Sequence, residues 1–312
     1  MGRRLHTQPA APLPLRDGVG ASRVELPSAG LHAWPTLADF FAWRFPAVPR
    51  ADWAARMERG DVIDAQGRPA PPGAPCRPQA RYYYYRSLPP EEPVPFAERV
   101  VYQDERIVVA DKPHFLPVAP AGRYLQQTLL VRLKRRLGIA TLAPVHRIDR
   151  ETAGLVLFTV QPAQRGLYQA LFRDRAAAKQ YEAIAPWHAG LARPQVLRHR
   201  IVPAAHFMQM RQAAPEEGPH NAETRIEMLE AHGALARYRL MPATGQRHQL
   251  RVQMAALGAP ILHDRIYPVL QPEGPPDYAH PLQLLARGLA FTDPVTGAAL
   301  AFESGLRLAW PA

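Results

Sequence analysis

The sequence predicts an α+β protein, because helical and strand patterns are mixed without the regular alternation of a βαβ fold. Apolar residues recur at helical spacing in "TLADFFAW" and "TLLVRLKRRLG". Runs such as "AGLVLFTV" are apolar throughout, as expected for a buried strand. At 312 residues and 47% hydrophobic composition, the chain is long enough for more than one domain.

Composition divides the chain into four predicted segments. Residues 1–30 are rich in Pro, Gly, Ala and Arg without a sustained period, so we expect a flexible N-terminal arm. Residues 31–86 are predicted to form a small α+β module. Residues 87–97, beginning "SLPPEEPVPF", are predicted to be an exposed Pro-rich linker. Residues 98–312 are predicted to form the larger domain.

The predicted elements follow in chain order. In the module, Thr36 is expected to cap a first helix, and Trp53 and Met57 mark a second helix that ends at Gly60. The larger domain is predicted to contain two strands around Asp104, a helix in "TLLVRLKRRLG", a buried strand in "AGLVLFTV", a helix opened by Pro162, a strand in "KQYEAIAPW", an antiparallel pair over 221–241, an amphipathic helix in "GQRHQLRVQMAALG", and strands near 288–292 and 299–302.

The charge balance is basic, with 38 Lys and Arg against 27 Asp and Glu, a net charge of +11. A basic surface favours polyanions such as nucleic acid, because binding releases counterions. Only three of the cations are lysine, a bias that a GC-rich genome also produces. Charge alone therefore leaves a plain basic surface as an alternative to nucleic-acid binding.

Cysteine content and hydropathy exclude several classes. Cys76 is the only cysteine, which excludes an intramolecular disulfide and any multi-cysteine metal site. No run approaches the ~18 apolar residues of a membrane span, and the first residues lack the apolar core of a signal peptide. A cytoplasmic protein is the simplest interpretation.

Asp149 stands out in "PVHRIDRETAGLVLFTV", where it lies between two arginines in a turn before a buried strand. Arg147 and Arg150 are expected to keep its carboxylate ionised, because a nearby opposite charge lowers a carboxyl pKa. An ionised, anchored carboxylate can be a nucleophile, a metal ligand or a structural anchor. The flanking cations and the lack of a spaced His/Asp/Glu set disfavour a metal site.

Two later stretches favour a chemical role for Asp149. Tyr181 lies between polar neighbours on a predicted strand, where its ring could stack on a planar ligand. Arg247, His248 and Arg251 fall within about one helical turn, near a predicted helix start where phosphates bind well. Each of these residues, taken alone, is also common in a purely structural role. A carboxylate, an aromatic ring and a further arginine together are what attack on a nucleoside requires.

These residues belong to motifs that resemble those of the RluA-type pseudouridine synthases. The motifs are "HRIDRETAGLVLFT", "KQYEAIA" and "TGQRHQLRVQMAALGAPILHDRIY", and "VVADKPHFLPVAP" resembles the opening of the same catalytic domain. The resemblance covers about two-thirds of the chain and implies a pseudouridine synthase catalytic fold with a mixed, mainly antiparallel sheet. More faintly, residues 35–86 resemble a ribosomal-protein-like RNA-binding domain, with a cationic face of Arg44, Arg50, Arg56, Arg59 and Arg68.

The resemblance also implies residue roles. Asp149 would be the nucleophile, Arg251 its paired arginine, and Tyr181 the ring that stacks on the target base. Arg147 would enter the RNA helix where that base leaves it, and Leu250 would line the pocket. The other candidates for substrate binding are Lys179, Arg247, His248 and His146. Lys179 would contact phosphate, while His146 and Thr152 are expected mainly to shape the loop.

The reaction implied is the conversion of uridine to pseudouridine in structured RNA. The bond from C1′ to N1 breaks, the uracil rotates, and it rejoins through carbon 5, without a metal, nucleotide or other cofactor. The carboxylate either attacks C1′ or assists the proton abstraction that gives a glycal, and the sequence does not choose between them. A uridine in a stem must first flip out of the stack.

Three positions depart from the family pattern: Gln246, Gln253 and His263. None lies at the expected nucleophile or its arginine, so they bear on RNA binding or substrate choice.

Ribosomal RNA of the large subunit is favoured over transfer RNA because of the N-terminal module, and a monomer is preferred. The main alternative is a non-catalytic RNA-binding protein that keeps the fold. Another nucleoside enzyme, such as a phosphoribosyl transferase or an N-glycosidase, and an enzyme for small metabolites are further alternatives.

Overall fold

The computed structural model describes residues 14–86 and 91–310. The chain divides into two compact units, residues 1–91 and residues 92–312. Both contain helices and strands, so the predicted α+β class is confirmed. Residues 1–13 of the predicted arm, residues 87–90 of the predicted linker and the last two residues lie outside the described residues.

The N-terminal unit packs two helices against a small antiparallel sheet. Helix α1, Leu37–Arg44, begins after Thr36, as predicted, because the Thr36 side chain accepts the Asp39 N–H and Asp39 accepts the Thr36 N–H. Phe41 of α1 lies edge to face with Trp53 of helix α2, Arg50–Glu58, at 4.8 Å in the core of the unit. The described elements are α1 (Leu37–Arg44), α2 (Arg50–Glu58), β1 (Ser22–Glu25), β2 (Val62–Asp64) and β3 (Arg81–Tyr84), with the strand order β1-β3-β2.

The structure corrects two predictions of irregular, exposed chain. Within the predicted arm, β1 pairs antiparallel with β3 and buries Val24; a strand of four residues is too short to give a detectable period. Within the predicted linker, Val94 is buried against the cluster around Leu129, and Arg132 donates a hydrogen bond of 2.9 Å to its carbonyl oxygen. In both places, the segment is ordered by contacts with residues that are distant in sequence.

The C-terminal unit is built on one large mixed sheet. Within residues 92–310, the ten strands of this sheet are β4 (Arg99–Gln103), β5 (Ile107–Lys112), β6 (Ala143–Pro144), β7 (Ala153–Thr159), β8 (Ala178–Pro186), β9 (Gln195–His199), β12 (Ala222–His232), β13 (Leu235–Pro242), β14 (Leu284–Thr292) and β15 (Ala299–Glu303). Eight of them follow the order β4-β5-β7-β14-β8-β13-β12-β9, while β15 pairs with β14 and β6 pairs with β7. A separate antiparallel pair is formed by β10 (Ile201–Pro203) and β11 (Met210–Gln212). The helices are α3 (Leu129–Leu137), α4 (Arg165–Arg173) and α5 (Gln249–Ala256).

Most of the predicted elements of this unit are confirmed. Helix α3 begins after the cap residue Thr128 and ends at Gly138, which has a left-handed backbone. All seven residues of β7 are buried, as its apolar sequence predicts. Strands β12 and β13 pair antiparallel around Gly233.

Helix α5 differs from its prediction in start and character. The predicted helix includes the residues before Gln249, but His248 has a left-handed φ of 56°, so the helix cannot begin earlier. The predicted amphipathic character is also wrong. Six consecutive residues from Gln249 to Met254 are buried, because the sheet and the loop after the helix cover it on several sides.

Gly154 sets the spacing of the central strands beside the site. The pairing aligns Gly154 of β7 with Ala286 of β14, Ala286 with Tyr181 of β8, and Tyr181 with Leu240 of β13. Gly154 has a φ of +111°, and a Cβ there would lie 2.3 Å from the Ala286 carbonyl oxygen. Only glycine fits this close approach, which lets β7 pair with β14, the strand that lies between β7 and β8.

Candidate active site

One cavity of about 390 Å³ in the C-terminal unit collects most of the predicted site residues. Its walls come from the loop before β7, the end of α4, strand β8 and the start of α5. Eight of the nine candidates line it: His146, Arg147, Asp149, Lys179, Tyr181, His248, Leu250 and Arg251. Arg247 is not among the lining residues.

The loop that carries Asp149 is fixed at both ends by hydrogen-bonded side chains. His146 accepts the Leu157 N–H through Nε2 at 3.1 Å and thereby continues the pairing of β6 with β7. Burial lowers the pKa of His146 to about 3, so the ring is neutral. On the other side, Lys112 is fully buried and donates hydrogen bonds of 3.0 Å to the carbonyl oxygens of Pro113 and Arg150.

Asp149 pairs with Arg251, which is held in turn by Asp264. Arg251 Nη1 lies 3.2 Å from Asp149 Oδ2, while its Nε and Nη2 donate to the two oxygens of Asp264 at 2.8 and 2.6 Å. Burial alone would lower the pKa of Arg251, but the hydrogen bonds and charges of Asp264 and Asp149 raise it above its ordinary value. The arginine therefore stays charged beside a carboxylate that is 30% exposed.

The sequence neighbours Arg147 and Arg150 form no ion pair with Asp149. The Arg147 side chain is exposed and makes no hydrogen bond or ion pair with the described part of the chain. Arg150 turns to Tyr124 and Glu151 instead. In a turn, adjacent side chains diverge, and the partner of the carboxylate comes from α5.

Tyr181 and Leu250 form part of the apolar wall of the cavity. Tyr181 is partly buried on β8 and packs against the cluster that contains Leu250. Its hydroxyl makes no hydrogen bond with the described residues. Burial, followed by the charge of Asp149, raises the pKa of Tyr181 above its ordinary value, so the hydroxyl stays protonated. The wall therefore presents a neutral aromatic ring.

The remaining basic candidates differ in position. Lys179 donates a hydrogen bond of 2.9 Å to the Thr244 carbonyl oxygen, and burial lowers its pKa. Arg247 lies outside the helix turn predicted for it and donates to the carbonyl oxygens of Phe207 and Met208 at 2.9 and 3.2 Å. Its guanidinium thus anchors the turn between β10 and β11.

The three departures from the family pattern are Gln246, Gln253 and His263. Their side chains make no hydrogen bond with Asp149 or Arg251 in the described part of the chain. Gln246 is exposed and donates its backbone N–H to Gln249 at 3.0 Å. Gln253 is buried and accepts the Thr224 hydroxyl at 2.6 Å. His263 has a positive φ of 62°.

Sequence reasoning missed three buried residues that support the site. Asp264 holds Arg251, Lys112 holds the loop, and Tyr267 contacts both His248 and Arg251. Asp264 and Lys112 lie inside the quoted motifs as charged residues beside apolar stretches, and buried charges require partners. The sequence therefore indicated that Asp264 and Lys112 need partners, but it did not indicate which residues those partners are.

Two features are absent from the described ranges, 14–86 and 91–310. No group of three or more His, Cys, Asp or Glu residues there is arranged to hold a metal ion. Nor does a helix in those ranges combine the length and the apolar character that crossing a membrane requires.

Comparisons with known proteins identify the family of this chain. The RNA pseudouridylate synthase family profile matches residues 106–256. The chain is 35% identical to the dual-specificity RNA pseudouridine synthase RluA of Salmonella typhimurium over 69% of this chain and 94% of that protein. It is 30% identical to an uncharacterized RNA pseudouridine synthase of Synechocystis over 74% of this chain and 79% of that protein. The solved structure of human RNA pseudouridylate synthase domain containing 4 superposes with a TM-score of 0.53 at 26% identity, covering 67% of this chain and 88% of that one. The chain therefore belongs to the RluA-type family of RNA pseudouridine synthases.

Proposed function

We propose that this isomerase converts specific uridines of structured RNA to pseudouridine with Asp149 as the nucleophile. The observation that carries the proposal is the pairing of Asp149 with Arg251 at the wall of a cavity large enough for a base. The buried guanidinium of Arg251 holds the Asp149 side chain in place, and a carboxylate is a group that can act as a nucleophile. Asp149 nevertheless remains 30% exposed, so a substrate can reach it.

The chemistry follows from the carboxylate and the substrate. Asp149 either attacks C1′, displacing N1 and forming an ester to the ribose, or assists removal of a ribose proton to give a glycal. In both routes the freed uracil rotates. Carbon 5 then either displaces the Asp149 carboxylate from C1′ of the ester, or bonds to C1′ of the glycal while the proton that was removed returns to C2′. Carbon 5 finally loses its proton, and N1 ends protonated. No net oxidation occurs, so the step requires no redox partner.

Base flipping is the proposed mode of substrate entry. A stacked uridine cannot reach a cavity, and extruding it costs a few kcal/mol. Tyr181 would offset part of this cost by stacking on the uracil. Arg147, exposed and without a partner in the described chain, would occupy the space that the base leaves.

Large-subunit ribosomal RNA is the proposed substrate, with transfer RNA as the second candidate, and residues 31–86 are proposed to be a separate module. The predicted cationic face gives this module little support as an RNA contact. Three of its arginines pair internally, Arg50 with Asp39, Arg59 with Asp61 and Arg68 with Asp64. The substrate proposal therefore depends on an activity measurement.

The test is release of tritium from RNA labelled at carbon 5 of uracil. Purified ribosomal and transfer RNA fractions would be incubated with the wild-type protein, Asp149→Ala and Asp149→Asn. Release by the wild type alone is expected, and the active fraction identifies the substrate class. Equal release by the variants would show that another residue is the nucleophile. Binding without release by the wild type would favour the non-catalytic alternative.

A further inference from the structure

The two oxygens of the Asp149 carboxylate have different surroundings. Oδ2 faces two nitrogens, Arg251 Nη1 at 3.2 Å and His248 Nε2 at 3.9 Å. Oδ1 accepts no hydrogen bond from the part of the chain that the structure describes. The carboxylate is thus held from one side, and its second oxygen is left for a substrate.

The contacts of Tyr267 decide which nitrogen of His248 carries the proton. The Tyr267 hydroxyl accepts the Met210 N–H at 2.7 Å and lies 2.9 Å from His248 Nδ1. Tyr267 is buried, and its hydroxyl has no other partner among the described residues. If Nδ1 carried the proton, the hydroxyl hydrogen would lack an acceptor, which is costly in a buried site. The hydroxyl therefore donates to Nδ1, and the neutral ring carries its proton on Nε2.

The surroundings of His248 favour the neutral ring. Burial lowers the pKa of His248 to about 4, although the charge of Asp149 acts in the opposite direction. The charged and titratable groups that face the ring or its backbone are Asp149, Arg247, Arg251, Asp264 and Tyr267.

The backbone gives a second, independent indication. His248 has a φ of 56°, a left-handed conformation that is unfavourable for most residues. The following residue, Gln249, is fixed by its side-chain contacts with Thr244 and Thr224 at 2.8 and 2.9 Å. The strained backbone is therefore maintained by buried contacts, as is common where a side chain must be aimed at a site.

We propose that His248 is a positioning residue whose Nε2–H, together with Arg251, holds Oδ2 of Asp149, so that Oδ1 is the oxygen presented to the nucleotide. The proposal rests on the proposed role of Asp149. The separation of 3.9 Å must shorten by about 1 Å to form a hydrogen bond, and such tightening is expected as a substrate enters a site.

Two substitutions of matched length test the proposal. His248→Gln keeps an N–H at the place of Nε2, whereas His248→Met has a similar reach without a donor. Single-turnover rates at saturating RNA are expected to fall about tenfold or more in His248→Met, the usual scale for a hydrogen bond to a charged group. His248→Gln is expected to recover most of the rate, and RNA affinity should stay within about twofold in both variants. Equal rates in the two variants, or weaker affinity with an unchanged rate, would overturn the proposal.

A spectroscopic measurement decides the proton position without relying on activity. Nitrogen NMR of the full chain labelled at histidine should show His248 as the Nε2–H form, with no protonation above about pH 5. The signal is assigned by its loss in His248→Gln, and Tyr267→Phe should shift it towards a mixture of forms. An Nδ1–H form or a titration near pH 6.5 would contradict the proposal. Full activity of Asp149→Ala would instead refute the proposed nucleophile and leave the tautomer result standing.

Discussion

Arg251 and Asp264 form a bidentate ion pair that is almost completely buried, with side-chain exposures of 2% and 0%. Asp264 also accepts the backbone N–H groups of Ile266 and Tyr267 at 2.8 and 3.1 Å. The carboxylate therefore ties the loop after α5 to the helix and aims the third guanidinium nitrogen at Asp149. A buried charge with a satisfied partner is costly to unpair.

Asp264→Asn should destabilise the protein strongly, because it leaves the Arg251 charge buried without its main partner. We expect the free energy of unfolding to fall by about 3–5 kcal/mol, measured by urea denaturation. Glu273→Gln is the matched control, since it removes an exposed ion pair with Arg123 and should cost under about 1 kcal/mol. Similar losses in the two variants would contradict the importance of the buried pair.

Gly154→Ala should disturb the strand spacing beside the site. The added Cβ would meet the Ala286 carbonyl oxygen at 2.3 Å with φ at +111°, so strain and overpacking together should cost about 2–5 kcal/mol. Gly166→Ala provides the control, because no atom lies within 4 Å of the added Cβ and the residue is helical. Thermal denaturation should show a lower melting temperature only for Gly154→Ala; an unchanged value there would refute the close-approach argument.

Arg147→Gln should weaken RNA binding without affecting the fold. The side chain is exposed and has no protein partner in the described ranges, so its loss leaves the fold intact and removes one positive charge from the place where Arg147 is proposed to enter the RNA helix. The slope of log affinity against log salt should fall by about 1, measured by filter binding in an Asp149→Asn background. Arg193→Gln removes the same charge from an exposed position that does not line the cavity. A matching fall in that control would show a general charge effect.

Tyr181→Phe should retain most of the activity, because the hydroxyl makes no hydrogen bond with the described residues and the ring is the proposed stacking surface. Tyr181→Leu removes the ring, and its single-turnover rate or RNA affinity should fall by about 5- to 150-fold, the range that loss of one base stack gives. Tritium release with each variant measures the effect. A Phe variant as impaired as the Leu variant would assign the hydroxyl, rather than the ring, to the reaction.

Lys112 should make stability depend on pH in the alkaline range. Burial lowers its pKa to about 7 from an ordinary 10.5, although Glu151 and Asp149 oppose the shift. Between these values the unfolded chain holds a proton that the folded chain lacks, so stability rises with pH by up to about 1.4 kcal/mol per pH unit. Below pH 7 both states are protonated, and the cost of burying the charge is fully present.

Lys112→Met removes this titration while other groups remain the same. The difference in the free energy of unfolding between the two proteins should therefore change in favour of the wild type from pH 7 to pH 9. Urea denaturation at both pH values measures it. A difference independent of pH would show that Lys112 is charged throughout this range in the folded protein.

The secondary structure was largely predictable because its causes are local. The Thr128 cap and the apolar pattern of α3 lie within ten residues, and the burial of β7 follows from its composition. The pairing of β1 with β3 joins residues that are more than fifty positions apart, and neither segment alone specifies it.

The sequence by itself determined the fold class, most of the elements and, through three motifs, the family of this enzyme. Only the tertiary structure decided which charges meet. Asp149 pairs with Arg251 across 102 positions rather than with Arg147 or Arg150 beside it, and Asp264 and Tyr267 complete the contacts. Local pattern records the propensity and polarity of each residue, whereas the partner of a buried charge depends on the strand order and on how closely Gly154 lets the strands approach.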